Sequence, residues 1–232
     1  MSTTDTQPRR LVVLLSGRGS HFENLYRRVH LNPTLNAQIF GVISDRADAP
    51  GLAKAHSLEV PTATVERSEH ASRSQFETAL VDSIDRFAPD WVILAGFMRI
   101  LSASALAPYQ GRMLNIHPSL LPRHKGLDTH QKVIEAGESE HGASVHFVTA
   151  ELDGGPILSQ AKMAVTDHDT PDSLAERLLP LEHRLMQASV ALLVNHDVEV
   201  HHEKLTIDGH SLAEPLVLDR DFGINGGWRQ PR

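Results

Sequence analysis

Leu11-Val12-Val13-Leu14-Leu15 is apolar at five consecutive positions and stops abruptly at Ser16-Gly17. A strand with one wet face alternates polar and apolar residues, so a short unbroken run describes a strand covered on both faces, as in a parallel sheet. Ile39 to Ile43 and Trp91-Val92-Ile93-Leu94-Ala95 repeat the pattern. Between them Phe76, Ala79, Leu80, Ser83, Ile84 and Phe87 recur at helical spacings, the stripe of a helix lying on a sheet, closed by Ala88-Pro89-Asp90. Strands alternating with helices predict an α/β fold with right-handed crossovers.

The pattern changes beyond Met113. Met113 to Ile116 reads as a further strand ended by Pro118, and Val145 to Val148 and Ile157 to Val165 as two more, joined by Asp153-Gly154-Gly155-Pro156. Strands this close in sequence pair antiparallel, so the sheet becomes mixed toward the C-terminal half. Thr170-Pro171 opens a helix striped by Leu174, Leu178, Leu181, Leu185, Ala188 and Leu192, and Pro180 within the stripe predicts a kink or a division. Glu199 to Ile207 reads as a hairpin arm. Residues 1–10 read as a disordered segment, 11–212 as a single domain, and 213–232, with Gly226-Gly227 and Pro231, as a loose tail.

Composition narrows the chemistry. A chain of 232 residues without cysteine has no disulfide framework, thiolate nucleophile, Cys-ligated zinc or iron–sulfur cluster. Its net charge of −7 carries no lysine- and arginine-rich stretch able to blanket a nucleic-acid backbone, although one local basic pocket would still hold a charged small molecule. No apolar run approaches the roughly 20 residues of a membrane span, and the polar first ten residues hold no secretory signal. The expectation is a cytoplasmic protein that binds neither nucleic acid nor membrane. There are 15 histidines, but no His-Glu-x-x-His helix, and His201-His202 sits in a polar segment, so no metal is expected.

Three segments could carry chemistry. Ser16-Gly17-Arg18-Gly19-Ser20 lies between a strand and a helix; two glycines admit a ligand to the backbone, and a helix N-terminus favours an anion such as phosphate. Phe22 replaces the third glycine of a dinucleotide fingerprint, and no Gly-Lys-Ser/Thr follows, so a tight turn without a ligand also fits. Asn115-Ile116-His117 places an amide and an imidazole on one face at the carboxyl end of a strand, where α/β sheets bind ligands. Such a pair can stabilise an oxyanion or serve only as a buried hydrogen-bonded pair. Asp153 reads first as a turn residue. It gains a second meaning if its loop folds over His117, because a neighbouring carboxylate favours the protonated imidazole.

The runs Leu94-Ala95-Gly96-Phe97-Met98-Arg99-Ile100-Leu101, Asn115 to Pro122, His141 to Val148 and Leu152-Asp153-Gly154-Gly155-Pro156 closely resemble the folate-dependent formyltransferases, in order and spacing. The likeness extends from about Leu11 to at least the helix of Leu192. It implies a Rossmann-like formyltransferase fold: a mostly parallel twisted sheet, helices on both faces and an antiparallel strand pair. It also implies 10-formyltetrahydrofolate as one-carbon donor, phosphoribosylglycinamide as acceptor in purine (IMP) synthesis, and a monomer or homodimer. By the same likeness Asn115, His117 and Asp153 are catalytic. Gly17, Arg18, Gly19, Ser20, Met98 and Glu182 meet the ribonucleotide. Arg73, Met98, Arg99, Ile100, Leu101, Asn115, Thr149, Ala150, Glu151, Leu152 and Asp153 meet the folate. Arg18 stands where members of the family carry asparagine, and Asp128 where histidine is common.

Two relatives of that chemistry fit less well. A formyltetrahydrofolate hydrolase is expected to carry an N-terminal regulatory domain, and a methionyl-tRNA formyltransferase a basic C-terminal domain. A non-enzymatic nucleotide-binding module would need only Gly17 to Ser20 and would leave Asn115 and His117 unexplained.

Overall fold

The computed structural model describes residues 7–201 and 204–229. Residues 1–6, part of the segment expected to be disordered, lie outside this range, as do His202, Glu203 and the last three residues. The chain divides into two compact units, one ending at Arg99 and one beginning at Ile100.

In the first unit the apolar run becomes β1 (Arg9–Leu15), which starts ahead of the expected Leu11, and Leu11 to Leu15 are fully buried. α1 (Ser20–Leu25) continues through a π-helical stretch, Tyr26–His30, before β2 (Ala37–Ser44), α2 (Pro50–Ser57), β3 (Thr62–Thr64), α3 (Arg73–Asp85) and β4 (Trp91–Leu94). The strand order β4-β1-β2-β3 is parallel throughout, with Leu11 opposite both Ile39 and Trp91. α3 begins where Ser72 accepts a hydrogen bond from the Gln75 N–H, and its Phe76, Leu80 and Ile84 are buried as the stripe requires. It ends at Ala88, whose φ of 43° reverses the chain into Asp90.

In the second unit α4 (Ala103–Leu106) precedes β5 (Met113–His117), α5 (Thr129–Glu135), β6 (Glu140–Phe147) and β7 (Ile157–Ala164). β6 is antiparallel to both β5 and β7, which is the expected change of direction. α6 (Pro171–Asn195) opens on a capping box at Thr170 and packs on β6 and β7, where the Ser189 and Ser159 hydroxyls meet at 2.7 Å. Of the kink or division expected at Pro180, the division does not occur: one helix of 25 residues runs through it. A mid-helix proline costs about 3 kcal/mol. Burial of Leu174 and Leu178 before it, and of Leu185, Ala188 and Leu192 after it, outweighs that cost.

The hairpin arm is present and larger than expected. β8 (Val198–His201), β9 (Lys204–Ile207) and β10 (His210–Leu212) form a separate antiparallel sheet. Residues beyond 212, read from sequence as a loose tail, form β11 (Leu216–Val217), parallel to β7, and bury Leu218 and Phe222. Single apolar residues at irregular spacing carry no periodic signal, so only the fold reveals their burial. The result is a mostly parallel, mixed α/β architecture and a separate small antiparallel sheet.

Candidate active site

In the first unit, β1 hands the chain to the glycine loop. The Ser16 N–H donates to the Gly96 carbonyl at 3.0 Å, and its hydroxyl accepts the Met98 N–H at 2.9 Å, which ties the loop to the chain leaving β4. Gly19 has φ 68°, and a Cβ there would lie 2.6 Å from the Gly51 Cα, so the turn requires glycine twice over. No side chain caps α1, which leaves its first-turn N–H groups facing whatever lies before Ser20. Arg18 is exposed, and its guanidinium has no partner among the described residues. Arg73 pairs through Nε with the buried Glu77 at 2.8 Å, and Arg99 through Nε with the buried Asp45 at 2.5 Å.

In the second unit, β5 turns Asn115 and His117 to one face while Leu114 and Ile116 pack away. Pairing with β6 sets Asn115 opposite His146 and His117 opposite Ser144. The loop between β6 and β7 folds back on this face because Gly155 lies against the Phe147 carbonyl, 1.9 Å from where a Cβ would sit. That fold, with Asp153 at φ 46°, brings the carboxylate to His117: Oδ2 is 3.5 Å from Nδ1. The same oxygen accepts the Gly126 N–H at 2.9 Å, and Oδ1 is 3.6 Å from His146 Nε2. The proximity of Asp153 to His117, which sequence could only pose as a condition, is therefore a feature of the fold.

Hydrogen bonding assigns the protons. His117 Nε2–H donates to the His124 carbonyl at 2.9 Å. His146 Nδ1–H donates to the Phe147 carbonyl at 3.0 Å, leaving Nε2 to accept from the Asn115 amide at 3.1 Å. Burial pushes the His146 imidazole down from its ordinary value, against the opposing influence of the Phe147 carbonyl and the Asp153 carboxylate. His146 is thus a neutral acceptor that fixes the Asn115 side-chain orientation and leaves the second amide N–H free to donate.

The other expected residues have less in common. Met98 and Ile100 are 67% and 59% exposed, unusual for large apolar side chains, whereas Leu101 is buried. Thr149, Ala150 and Glu151 are exposed on the loop before Asp153, where Glu151 pairs with Lys125 at 2.7 Å, and Leu152 is 46% exposed. Glu182 is buried on α6. Asp128 takes a left-handed conformation, φ 59°, at the start of α5. Reading β5 alone missed His146 and the His124 carbonyl. The available signal was the period-two face Ser144/His146, but the register that sets it against Asn115 joins strands about thirty residues apart.

A family model described as formyl transferase matches residues 9–190. The chain is 41% identical to phosphoribosylglycinamide formyltransferase of Escherichia coli strain K12 over 87% of its own length and 95% of the relative's. It is 39% identical to a Gallus gallus trifunctional purine biosynthetic protein, covering 82% of this chain and 19% of that one. Among solved structures, phosphoribosylglycinamide formyltransferase from Coxiella burnetii superposes with a TM-score of 0.86 at 40% identity, covering 90% of this chain and 99% of that one. With that match running from β1 into α6 and enclosing the glycine loop and the Asn115, His117 and Asp153 cluster, the chain belongs to the formyl transferase family.

Proposed function

We propose that this enzyme transfers the formyl group of 10-formyltetrahydrofolate to the glycyl amine of 5'-phosphoribosylglycinamide, a step of cytoplasmic purine synthesis. The observation that carries the reading is the free N–H of Asn115 beside an imidazole that has a carboxylate at 3.5 Å, within relatives named for this reaction. The phosphate falls to Gly17, Arg18, Gly19 and Ser20, and the ribonucleotide also to Met98 and Glu182. To the folate we assign Arg73, Met98, Arg99, Ile100, Leu101, Asn115 and the loop Thr149 to Asp153; exposed apolar side chains such as Met98 and Leu152 suit a flat aromatic co-substrate.

The neutral amine attacks the formyl carbon, a C–N bond forms, and the carbonyl oxygen becomes an oxyanion. Asn115 and protonated His117 donate to it, each such donor being worth about 3 kcal/mol. His117 gives its Nε2–H to that oxygen in place of the His124 carbonyl, while Asp153 at Nδ1 stabilises the imidazolium. As the carbon–N10 bond breaks, N10 takes up one proton and the amine nitrogen loses one, so formylated ribonucleotide and tetrahydrofolate leave without net proton change.

The test follows folate absorbance with both substrates and with each omitted. Turnover should require both. Loss of the formyl group without the ribonucleotide would replace transfer by hydrolysis, and no reaction under any condition would refute the proposal.

A further inference from the structure

His141, on β6, is 1% exposed, and its Nδ1 is sealed with no hydrogen-bond partner among the described residues. Its Nε2 lies 2.9 Å from Nδ1 of His130, in the first turn of α5, with the rings edge to face at 86°. One proton sits between these nitrogens, and either ring could supply it. If His130 donated, the proton of His141 would be on Nδ1, a buried N–H without an acceptor. If His141 donates, only a lone pair goes unused. Buried orphan N–H groups are the rarer of the two, because an unmet donor loses its full hydration.

Both rings are neutral near pH 7. Burial, with the neighbouring His130, pushes His141 down to about 4, and burial also lowers His130. His141 therefore holds its proton on Nε2 and donates, His130 accepts at Nδ1, and the single proton of His130 sits on its own Nε2. That atom is not sealed in the interior and has no partner among the described residues.

We propose that His141 is a positioning residue that fixes His130 in its Nε2–H form, and that this N–H donates to a hydroxyl oxygen of the ribonucleotide. The buried Glu182 carboxylate is close enough to act on both imidazoles, and His117 is close enough to act on His130. A fixed N–H donor within electrostatic reach of a carboxylate suits a hydroxyl, whose oxygen accepts the N–H while its proton is drawn toward the negative charge. The acceptor substrate presents such groups on its ribose. The substrate half of this inference rests on the proposed formyl transfer; the tautomer half does not.

Long-range 1H–15N correlation spectra at pH 7.5 should show both rings as Nε2–H; a His130 ring in the Nδ1–H form would overturn the proposal. In kinetics, His130→Phe should raise the ribonucleotide KM about tenfold, the loss of one hydrogen bond, with the folate KM unchanged. His141→Leu should do the same. His141→Gln, whose amide N–H stands near the Nε2 position, should restore the ribonucleotide KM to within about threefold of wild type.

Analogues lacking one ribose hydroxyl at a time complete the cycle. One of them should bind the wild type about tenfold more weakly, and His130→Phe should no longer distinguish it from the full substrate. An equal penalty for full and deoxy substrates in His130→Phe would make the residue structural and overturn the assignment. If His141→Leu does not fold, the spectra and the His130 cycle still decide. A wild type that never turns over the ribonucleotide would overturn the parent function and the hydroxyl assignment together, while the tautomer pair would stand or fall on the spectra.

Discussion

Gly17 and Gly19 flank Arg18 in one loop, yet alanine at each should separate ligand approach from backbone strain. At Gly19 an alanine meets two costs: a left-handed backbone, about 1–2 kcal/mol for an L-residue, and a Cβ 2.6 Å from the Gly51 Cα, with overpacking typically costing about 1–3 kcal/mol. The sum, about 2–5 kcal/mol, should lower Tm by roughly 4–20 °C for a chain this size. At Gly17 nothing lies within 4 Å of a built Cβ, so alanine should leave Tm within about 1 °C of wild type. If phosphate rests on this backbone, the Gly17 Cβ occupies ligand space that the protein itself does not use. Gly17→Ala should then raise the ribonucleotide KM about tenfold or more, equivalent to about 1.4 kcal/mol, with the folate KM unchanged. Steady-state kinetics and a thermal melt on the same preparation decide. Gly17→Ala with wild-type ribonucleotide KM would refute the phosphate assignment, and a wild-type melt for Gly19→Ala would refute the strain argument.

Asn115→Ala and His117→Ala should each lower kcat by about a hundredfold or more while folding normally, and the double variant should lose less than the product because both donors serve one oxygen; wild-type kcat in either single variant would remove it from the mechanism. Asp153→Asn tolerates the left-handed φ but deletes the charge beside His117. Its kcat should fall about tenfold or more at pH 7.5, because no carboxylate at Nδ1 offsets the charge on the donating ring; a wild-type kcat would return Asp153 to a turn residue. Stability should fall on acidification. His141 drops from 6.5 to about 4 on folding, so below pH 6.5 the unfolded chain binds a proton that the native chain refuses. The native state should lose up to about 3 kcal/mol by pH 4; His130 and His146 add in the same direction. The check is the slope of denaturant-derived stability between pH 7 and 5, which His141→Gln should flatten.

The fold was most legible where local chemistry and tertiary need coincide. Leu11 to Leu15 form a buried central strand because no side chain in the run tolerates a wet face, and Thr170-Pro171 starts α6 because its cap needs no distant partner. Pro180 shows the limit. Its local cost is real, and the helix continues because residues on both sides are held by sheet contacts that no short window contains. Leu218 and Phe222 fail in the opposite direction: each is unremarkable locally, and each is buried by elements far away in sequence.

The candidate cluster divides along the same line. Asn115 and His117 share a face by strand geometry alone, so the sequence of β5 suffices to propose them. Asp153 needed a loop to fold back, and His146 needed a register. His146 works as a neutral ring that accepts at Nε2 and donates at Nδ1. A neutral imidazole in a buried place passes orientation from a backbone carbonyl to an amide, as His146 does for Asn115, without placing a second charge beside Asp153. Lysine or arginine there would compete with His117 for that carboxylate, and a purely apolar residue would free the Asn115 amide to rotate. Both rings lie near Asp153, at 3.5 and 3.6 Å, but His146 is the more deeply buried and spends Nε2 on the Asn115 amide, whereas His117 keeps an Nε2–H that the proposed reaction can use.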